Sequence, residues 1–235
     1  MMNEFPEGAR AAWRLLASFD PALVEIVCRS LAVSLSAVGV AALGGLASGA
    51  WLAVARFPGR KFLIVLMNAG MGLPPVVIGL VVYLLLSRSG PLGSLQLLFT
   101  PTAMIVAQAL LVFPIICSLS RQVIEDLLHE YAEQLRSFGL GIGRMTCTLL
   151  WEGRFRLMTT ILAGFGRAIG EVGAVLIVGG NIAHVTRVMT TAIALETSRG
   201  DLALALGLGL ILIIIALTIN GAAYVVREFA ERHAS

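Results

Sequence analysis

The sequence predicts an all-α integral membrane protein with about five transmembrane helices. Of its 235 residues, 58% are hydrophobic and 13% are charged, and the mean hydropathy is +0.91, whereas soluble domains carry about 25% charged residues. No segments of about ten alternating residues recur, so membrane strands are not expected. Five apolar stretches reach the roughly 20 residues that a helix needs to cross the hydrocarbon core: 30–54, 62–86, 101–120, 157–182 and 202–226.

The N-terminal segment is predicted to form an amphipathic helix at the membrane interface. Phe5 and Trp13 are interspersed with charged residues there, as in helices that lie in the plane of the bilayer. The segment has neither an uninterrupted apolar core nor a small-residue cleavage site, so we expect no signal peptide. The predicted organisation is an interfacial segment at 1–20, a single membrane domain at 21–226 and a tail at 227–235.

Loop charges predict the orientation. The link after the first span carries Arg56, Arg60 and Lys61 without an acidic residue, and the long link 121–156 is rich in arginine. Because loops rich in Lys and Arg stay in the cytoplasm, both links and the C-terminal tail are predicted to lie inside. With five spans, the N-terminus then lies outside. If the N-terminal segment crossed the bilayer, the N-terminus would be cytoplasmic instead.

The second span contains two consecutive prolines, Pro74 and Pro75. Proline has no backbone N–H to donate and restricts the residue before it to extended conformations. The span is therefore predicted to break near its middle. A broken helix often lines a permeation route, and a kink that serves only packing is an equally good interpretation.

Pairs of glycines four residues apart occur in two spans, Gly45 with Gly49 and Gly166 with Gly170. Small residues at this spacing allow two helix backbones to approach closely in lipid. We therefore expect helix contacts at both pairs.

The link 121–156 is patterned rather than irregular. Its apolar residues recur at helical spacing, Gly139 follows as a helix terminator, and a second helix is predicted at 142–151. Such an amphipathic element can lie on the lipid headgroups or project into the cytoplasm, and its pattern alone does not decide between them. The apolar positions are Ile124, Leu127, Leu128, Tyr131, Leu135 and Phe138.

Two charged residues, Arg167 and Glu171, stand inside the fourth apolar stretch. Each costs roughly 2.5–3.5 kcal/mol on insertion scales, so such residues are usually retained for function. Because they are four residues apart, they are predicted to share one helix face and to offset each other's charge. Both a structural ion pair and a place beside the transport pathway fit this pattern.

Several other classes of protein are disfavoured. The basic residues are dispersed without interleaved aromatic residues, so we expect no nucleic-acid binding. The three histidines and three cysteines lie far apart, with no metal-ligand or nucleophile–base spacing, and no phosphate-binding loop of the type GxxxxGK[ST] occurs. We therefore expect no catalytic residues, no metal site and no cofactor on this chain. An ion-coupled secondary transporter would show inverted repeats and more buried carboxylates.

The link 121–156 resembles a known coupling loop. Glu133-Gln134-Leu135, followed after three residues by Gly139, resembles the Glu-Ala-Ala-xxx-Gly loop of binding-protein-dependent ABC importer permeases. In that family the loop is a coupling helix that docks on the ATPase subunit. The resemblance implies a type I ABC importer permease bundle. The residues implied to couple to the ATPase are Glu133, Arg136, Ser137, Gly139 and Gly143.

The fourth stretch resembles the oxyanion branch of the same family. Residues 167–174 are similar to the Arg-Ala-x-Gly-Glu-x-Gly-Ala signature of molybdate, tungstate and sulfate permeases, and 186–198 resembles the external loop of tungstate permeases. The residues implied to line the translocation path or its gate are Pro74, Pro75, Arg167, Gly170, Glu171 and Asn181, and those implied at the outer mouth are Arg187, Thr190 and Thr191.

These resemblances imply the partners and the location. The chain would be a multi-pass protein of a prokaryotic inner membrane, surrounded by lipid, that forms a homodimer. Two ATP-binding subunits would bind ATP and Mg²⁺, and an extracytoplasmic binding protein would deliver the substrate. Tungstate is the favoured substrate, with molybdate or sulfate as the alternatives.

Overall fold

The structure, a computed structural model, describes residues 6, 7, 10, 13, 17, 18, 20–137, 139 and 141–234. All regular structure within these residues is helical, as predicted. The α-helices are α1 Pro21–Val54, α2 Arg60–Gly70, α3 Pro75–Leu86, α4 Pro101–Glu130, α5 Ala132–Ser137, α6 Ile142–Glu152, α7 Arg154–Ile169, α8 Gly173–Gly179, α9 Met189–Arg199 and α10 Leu202–Ala234, with a short 3₁₀ turn at Gly93–Leu95.

Helices occupy the five predicted apolar stretches, and two of these stretches are broken. Three helices, α1, α4 and α10, are each long and apolar enough to cross a membrane, and the bent pairs α2–α3 and α7–α8 raise the number to five if each pair is one span. Two boundaries differ from the prediction. The first helix begins at Pro21 rather than at residue 30. At this observed start, Asp20 accepts the backbone N–H of Ala22 at 2.8 Å. The helix of the third predicted span, α4, continues ten residues beyond the predicted end, to Glu130.

Most of the predicted interfacial helix lies outside the described residues, among them Phe5. Of the residues that are described there, Pro6, Glu7, Arg10 and Trp13 are helical, and the Trp13 side chain is 73% exposed. The placement of this segment on the membrane stays a prediction.

The chain divides into two compact units, the first made of residues 1–36, 74–108 and 169–222 and the second of 37–73, 109–168 and 223–235. In the first unit, α3 packs closely on α8. A Cβ atom on Gly79 would lie 2.7 Å from the Cα atom of Ala174, so only glycine allows this approach. A separate apolar cluster of the same unit contains Leu23, Met189, Ala192, Leu208 and Ile211.

In the second unit, α1 packs closely on α4. A Cβ atom on Gly49 would lie 2.3 Å from the carbonyl oxygen of Cys117, and one on Gly45 would lie 2.9 Å from the Ile116 side chain. The close approach predicted for this glycine pair is therefore confirmed. At Gly166 a Cβ atom would meet nothing within 4 Å among the described residues, and the helix contact expected at the second pair stays a prediction.

Candidate translocation and coupling sites

The second span breaks at the two prolines, as predicted. The helix α2 ends at Gly70, Pro74 adopts an extended conformation (φ −64°, ψ 123°), and α3 begins at Pro75. Because the first N–H groups of a helix have no partner within the helix, proline at the first position loses no hydrogen bond. The break therefore follows directly from the local sequence.

The fourth span is also broken, whereas the sequence predicted that Arg167 and Glu171 lie within one helix. The helix α7 ends at Ile169 and α8 begins at Gly173, so Gly170 and Glu171 lie between two helices. Arg167 is in the last turn of α7, and the shared helix face expected for Arg167 and Glu171 does not exist. Glycines on both sides of the carboxylate make the helical conformation there costly, by about 1 kcal/mol each.

Glu171 is bound into the break. Its side chain is buried, with the residue 4% exposed, and its Oε1 atom accepts the backbone N–H of Ala174 at 3.1 Å. This bond satisfies an N–H group that the interrupted helix leaves without a partner, and a carboxylate near a helix start also interacts favourably with the helix dipole. The carboxylate therefore stabilises the start of α8.

The starts of α3 and α8, both in the first unit, lie side by side. A Cβ atom on Gly173, the first residue of α8, would lie 2.9 Å from the side chain of Val76, the second residue of α3. The N-termini of two interrupted helices therefore meet within the apolar part of the chain. Helix N-termini carry partial positive charge that favours anions, and at α8 the Glu171 carboxylate already occupies that position.

The helix α9 stabilises the break between α7 and α8. The Thr190 hydroxyl donates to the backbone carbonyl of Glu171 at 2.8 Å, and the backbone N–H of Met189 donates to Ser30 Oγ at 2.8 Å. Ser30 was missed by sequence reasoning, since a single serine in an apolar helix gives no signal. The helices α1 and α9 are thus joined to the break between α7 and α8 by buried hydrogen bonds.

Thr190 and Thr191 were expected as exposed donors at an outer mouth, and the structure differs. They are 7% and 0% exposed, and the Thr191 hydroxyl is used at the start of α9, where it accepts the backbone N–H of Val188 at 3.1 Å. Threonine at a helix start commonly binds the backbone in this way. Neither hydroxyl is available to a passing anion in this structure.

Asn181 and Arg187 lie together in the loop after α8. Arg187 is half-buried, and its Nε atom donates to Asn181 Oδ1 at 3.3 Å. Asn181 has a positive φ of 51°, next to Gly180 at 68°, which turns the chain sharply. The structure therefore brings together one residue predicted for the path and one predicted for the outer mouth.

The predicted helix–glycine–helix order of the link is confirmed. The helix α5 carries Glu133 in its first turn, Gly139 has a φ of +61°, and α6 follows at Ile142. Glu133, Ser137, Gly139 and Gly143 are exposed, and the Arg136 side chain lies outside the described residues. The coupling role of these residues stays a prediction.

The apolar face of this element packs on protein. Leu135 of α5 and Leu149 of α6 join a buried cluster that also contains Ala50, Ala53, Ile124, Leu127 and Leu157. An element lying on headgroups would turn these residues toward lipid. The described residues of the link are instead fixed to the second unit, with Glu133 on the outside.

A network of ionic residues beside this cluster was missed. Arg60 Nη2 lies 2.6 Å from Glu125 Oε1, Arg121 contacts the other oxygen of the same carboxylate, and Arg60 Nε donates to the carbonyl of Leu52 at 2.7 Å. The spacing of Arg121 and Glu125, four residues apart on a helix, was the available signal. The network joins α1, α2 and α4.

Comparison with known proteins gives a consistent result. Residues 45–234 match the family model of binding-protein-dependent transport system inner membrane components. A tungstate uptake system permease protein of Peptoclostridium acidaminophilum is 41% identical, covering 97% of this chain and 100% of that one. The corresponding protein of Campylobacter jejuni is 35% identical over 84% and 82% of the two chains. A sulfate transport system permease protein of Escherichia coli is 31% identical over 62% and 55%.

Proposed function

The chain belongs to the family of binding-protein-dependent transport system inner membrane components, and we propose that it is the permease subunit of an ATP-driven importer of tungstate. As a member of this family with several apolar helices, it is a multi-pass inner membrane protein. The proposal concerns the substrate, the partners and the mechanism.

One observation carries the choice of substrate. The similarity to a tungstate uptake permease extends over 97% of this chain at 41% identity, whereas that to a sulfate permease covers 62% at 31%. Sulfate and molybdate remain the alternative substrates, because all three are tetrahedral dianions of similar shape.

The paired helix breaks support an anionic substrate. The N-terminus of α3 lies beside that of α8, and the N-terminal ends of interrupted membrane helices favour negative charge. Because α3 has twelve residues, its dipole is well developed. Because the Glu171 carboxylate already caps the start of α8, the start of α3 is the helix end that would favour a passing oxyanion, and weak binding of this kind permits release.

The element formed by α5, Gly139 and α6 supports coupling to a separate ATPase. It is fixed to the second unit by buried leucines and exposes Glu133 and Gly139. A rigid element of this kind can transmit a movement of the ATPase to the membrane helices and so produce alternating access. The ATPase would bind ATP and Mg²⁺, and an extracytoplasmic binding protein would deliver the anion.

We further propose a homodimer with two ATP-binding subunits. Five spans enclose little more than half a pathway, so a second copy would complete it. Arg56, Arg60 and the link 121–156 would face the cytoplasm with the C-terminus, as basic loops do, and the N-terminus would lie outside.

Uptake into vesicles tests this proposal. Vesicles containing the chain, its ATPase and its binding protein would be compared for ATP-dependent uptake of tungstate, molybdate and sulfate at equal concentration. Stimulation by tungstate far above the other two supports the proposal, and a higher response to sulfate or molybdate would reassign the substrate. Uptake driven by an ion gradient without ATP would instead indicate a secondary transporter.

A further inference from the structure

A cavity of about 560 Å³ lies in the second unit, where α1 ends and α2 begins. Three structural elements beyond this corner contribute to its wall: α4, α5 and α6. Both charged and apolar side chains line it. Its lining residues are Ala53, Val54, Arg56, Arg60, Glu125, Leu128, His129, Leu135 and Met145.

Positive charge exceeds negative charge at this cavity. Arg56 and Arg60 line it, and Glu125 is the lining carboxylate. That carboxylate is shared between two guanidinium groups, those of Arg60 and Arg121. One carboxylate cannot neutralise two guanidinium groups, and Arg56 adds a further positive charge. The neighbouring Lys61, which is exposed, increases the excess.

Arg56 has unused donors. In the part of the chain that the structure describes, no ion pair or hydrogen bond of its guanidinium group is found, and its side chain is exposed. A guanidinium group presents five N–H donors in a planar fork that matches the oxygens of phosphate and carboxylate groups. Arg56 is therefore free to bind an anion at the cavity wall.

The start of α2 adds to the positive potential. The helix has eleven residues and begins at Arg60, after Gly59 with a φ of 88°. Its first turn has no acidic residue, and no side-chain cap is found for it among the described residues. The N–H of Arg60 donates to the carbonyl of Phe57 at 3.3 Å, and no acceptor for the N–H groups of Lys61 and Phe62 is found among the described residues. These two groups are left for another acceptor, and the helix dipole favours an anion there.

We propose that this cavity is a binding site for a tetrahedral oxyanion of the phosphate type, held by Arg56, Arg60 and the start of α2. The site shares no residue with the starts of α3 and α8, which belong to the first unit. Its position on the cytoplasmic side rests on the orientation in the proposed function. An anion bound there would tie the α1–α2 corner to Leu135 of α5 and Met145 of α6, and so would stiffen the element proposed to contact the ATPase.

Two sources supply this chemistry. A free oxyanion such as inorganic phosphate is present in the cytoplasm, and the headgroup of an anionic phospholipid carries a phosphate at the membrane surface, where basic pockets between helices bind it. Both place a phosphate-type group on the same arginines, so the experiment separates them.

The first measurement uses the purified full chain in a zwitterionic detergent. The thermal unfolding midpoint is followed against inorganic phosphate, with sodium chloride at matched ionic strength as reference. We expect the thermal unfolding midpoint to rise saturably with phosphate concentration, by more than it rises with chloride. Arg56→Gln should weaken the apparent affinity at least tenfold, and Arg56→Lys, which keeps the charge, should weaken it less. Arg88→Gln, an exposed arginine of another loop, should leave it unchanged.

A second variant is expected to change the phosphate affinity in the opposite direction. Glu125→Gln removes the carboxylate that competes with an anion for Arg60, and we expect it to tighten phosphate binding. If Arg56→Gln and Glu125→Gln both leave the phosphate response unchanged while Arg187→Gln abolishes it, phosphate binds elsewhere and the proposal is overturned.

The second measurement identifies the source. The chain is reconstituted in nanodiscs of phosphatidylcholine, with or without phosphatidylglycerol, and retained lipid is counted by native mass spectrometry. Phosphatidylglycerol retained by the parent chain but lost in Arg56→Gln assigns the site to a lipid headgroup. A phosphate response without retained lipid assigns it to a free oxyanion. If neither ligand depends on Arg56, the site does not exist. Since no transport is measured, failure of the proposed function would not affect this result.

Discussion

Replacing Gly79 by alanine tests the close packing of α3 on α8. The new Cβ atom would lie 2.7 Å from the Cα atom and 3.2 Å from the carbonyl oxygen of Ala174. Ordinary contacts begin at 3.4 Å, so α3 must move by about 0.7 Å or more. Because the obstructing atoms are backbone atoms, no side-chain rotation relieves the clash.

The expected cost follows from this geometry. Overpacking of a well-packed interior costs about 1–3 kcal/mol, and the greater helix propensity of alanine returns up to about 1 kcal/mol. We expect a net loss of about 1–2 kcal/mol in the free energy of unfolding. Transport should fall as well, because the displaced helix starts at the paired breaks.

Gly209→Ala provides the matched control. Gly209 is also a helical glycine of the first unit, and its Cβ atom would meet nothing within 4 Å among the described residues. Both variants would be assayed by denaturant unfolding in detergent and by tungstate uptake in the complete system. If Gly79→Ala were as stable and as active as Gly209→Ala, the reasoning on α3 and α8 would be refuted.

Three further predictions concern the coupling element and the break in the fourth span. Gly139→Pro and Glu133→Lys should leave the protein inserted but abolish substrate-stimulated ATP hydrolysis by the partner. Proline cannot adopt the φ of +61° at position 139, and the charge reversal at position 133 alters the exposed docking face. Unaltered hydrolysis would contradict the docking role. Thr190→Val should cost about 1–3 kcal/mol of unfolding free energy, since it leaves the buried carbonyl of Glu171 without its donor. Thr197→Val, at an exposed hydroxyl, should be nearly neutral. Equal losses in the two variants would exclude a special contribution from the buried bond. Glu171→Gln keeps an acceptor for the start of α8 and should preserve stability, while Glu171→Leu should lose it; uptake assays on Glu171→Gln then report the effect of the charge alone, and equal stability of both variants would argue against the capping bond.

Much of the coupling element could be predicted from the sequence. The apolar spacing that contains Leu127 and Leu135 indicates one buried face, and Gly139 marks the end of the first helix. What the pattern left open was the surface that this face covers. That depends on Ala50, Ala53 and Leu157, which belong to other helices and come near only through folding.

The sequence alone determined the features that depend on local chemistry. The presence of long apolar helices follows from the length of the apolar stretches, and the break at Pro74 and Pro75 follows from a missing N–H group and a fixed φ. Each of these constraints acts within a few residues and holds in any tertiary context, so it can be recognised without the fold.

Only the tertiary structure decided the break at Glu171 and the burial of Thr190. Glycine permits either a continuous or an interrupted helix there, and the interrupted form is held by a hydroxyl 19 residues further along the chain. The ion pair of Arg60 with Glu125 likewise joins positions 65 residues apart. Such contacts depend on which helices become neighbours, because a hydrogen bond or an ion pair forms only when folding brings its two groups within about 3 Å.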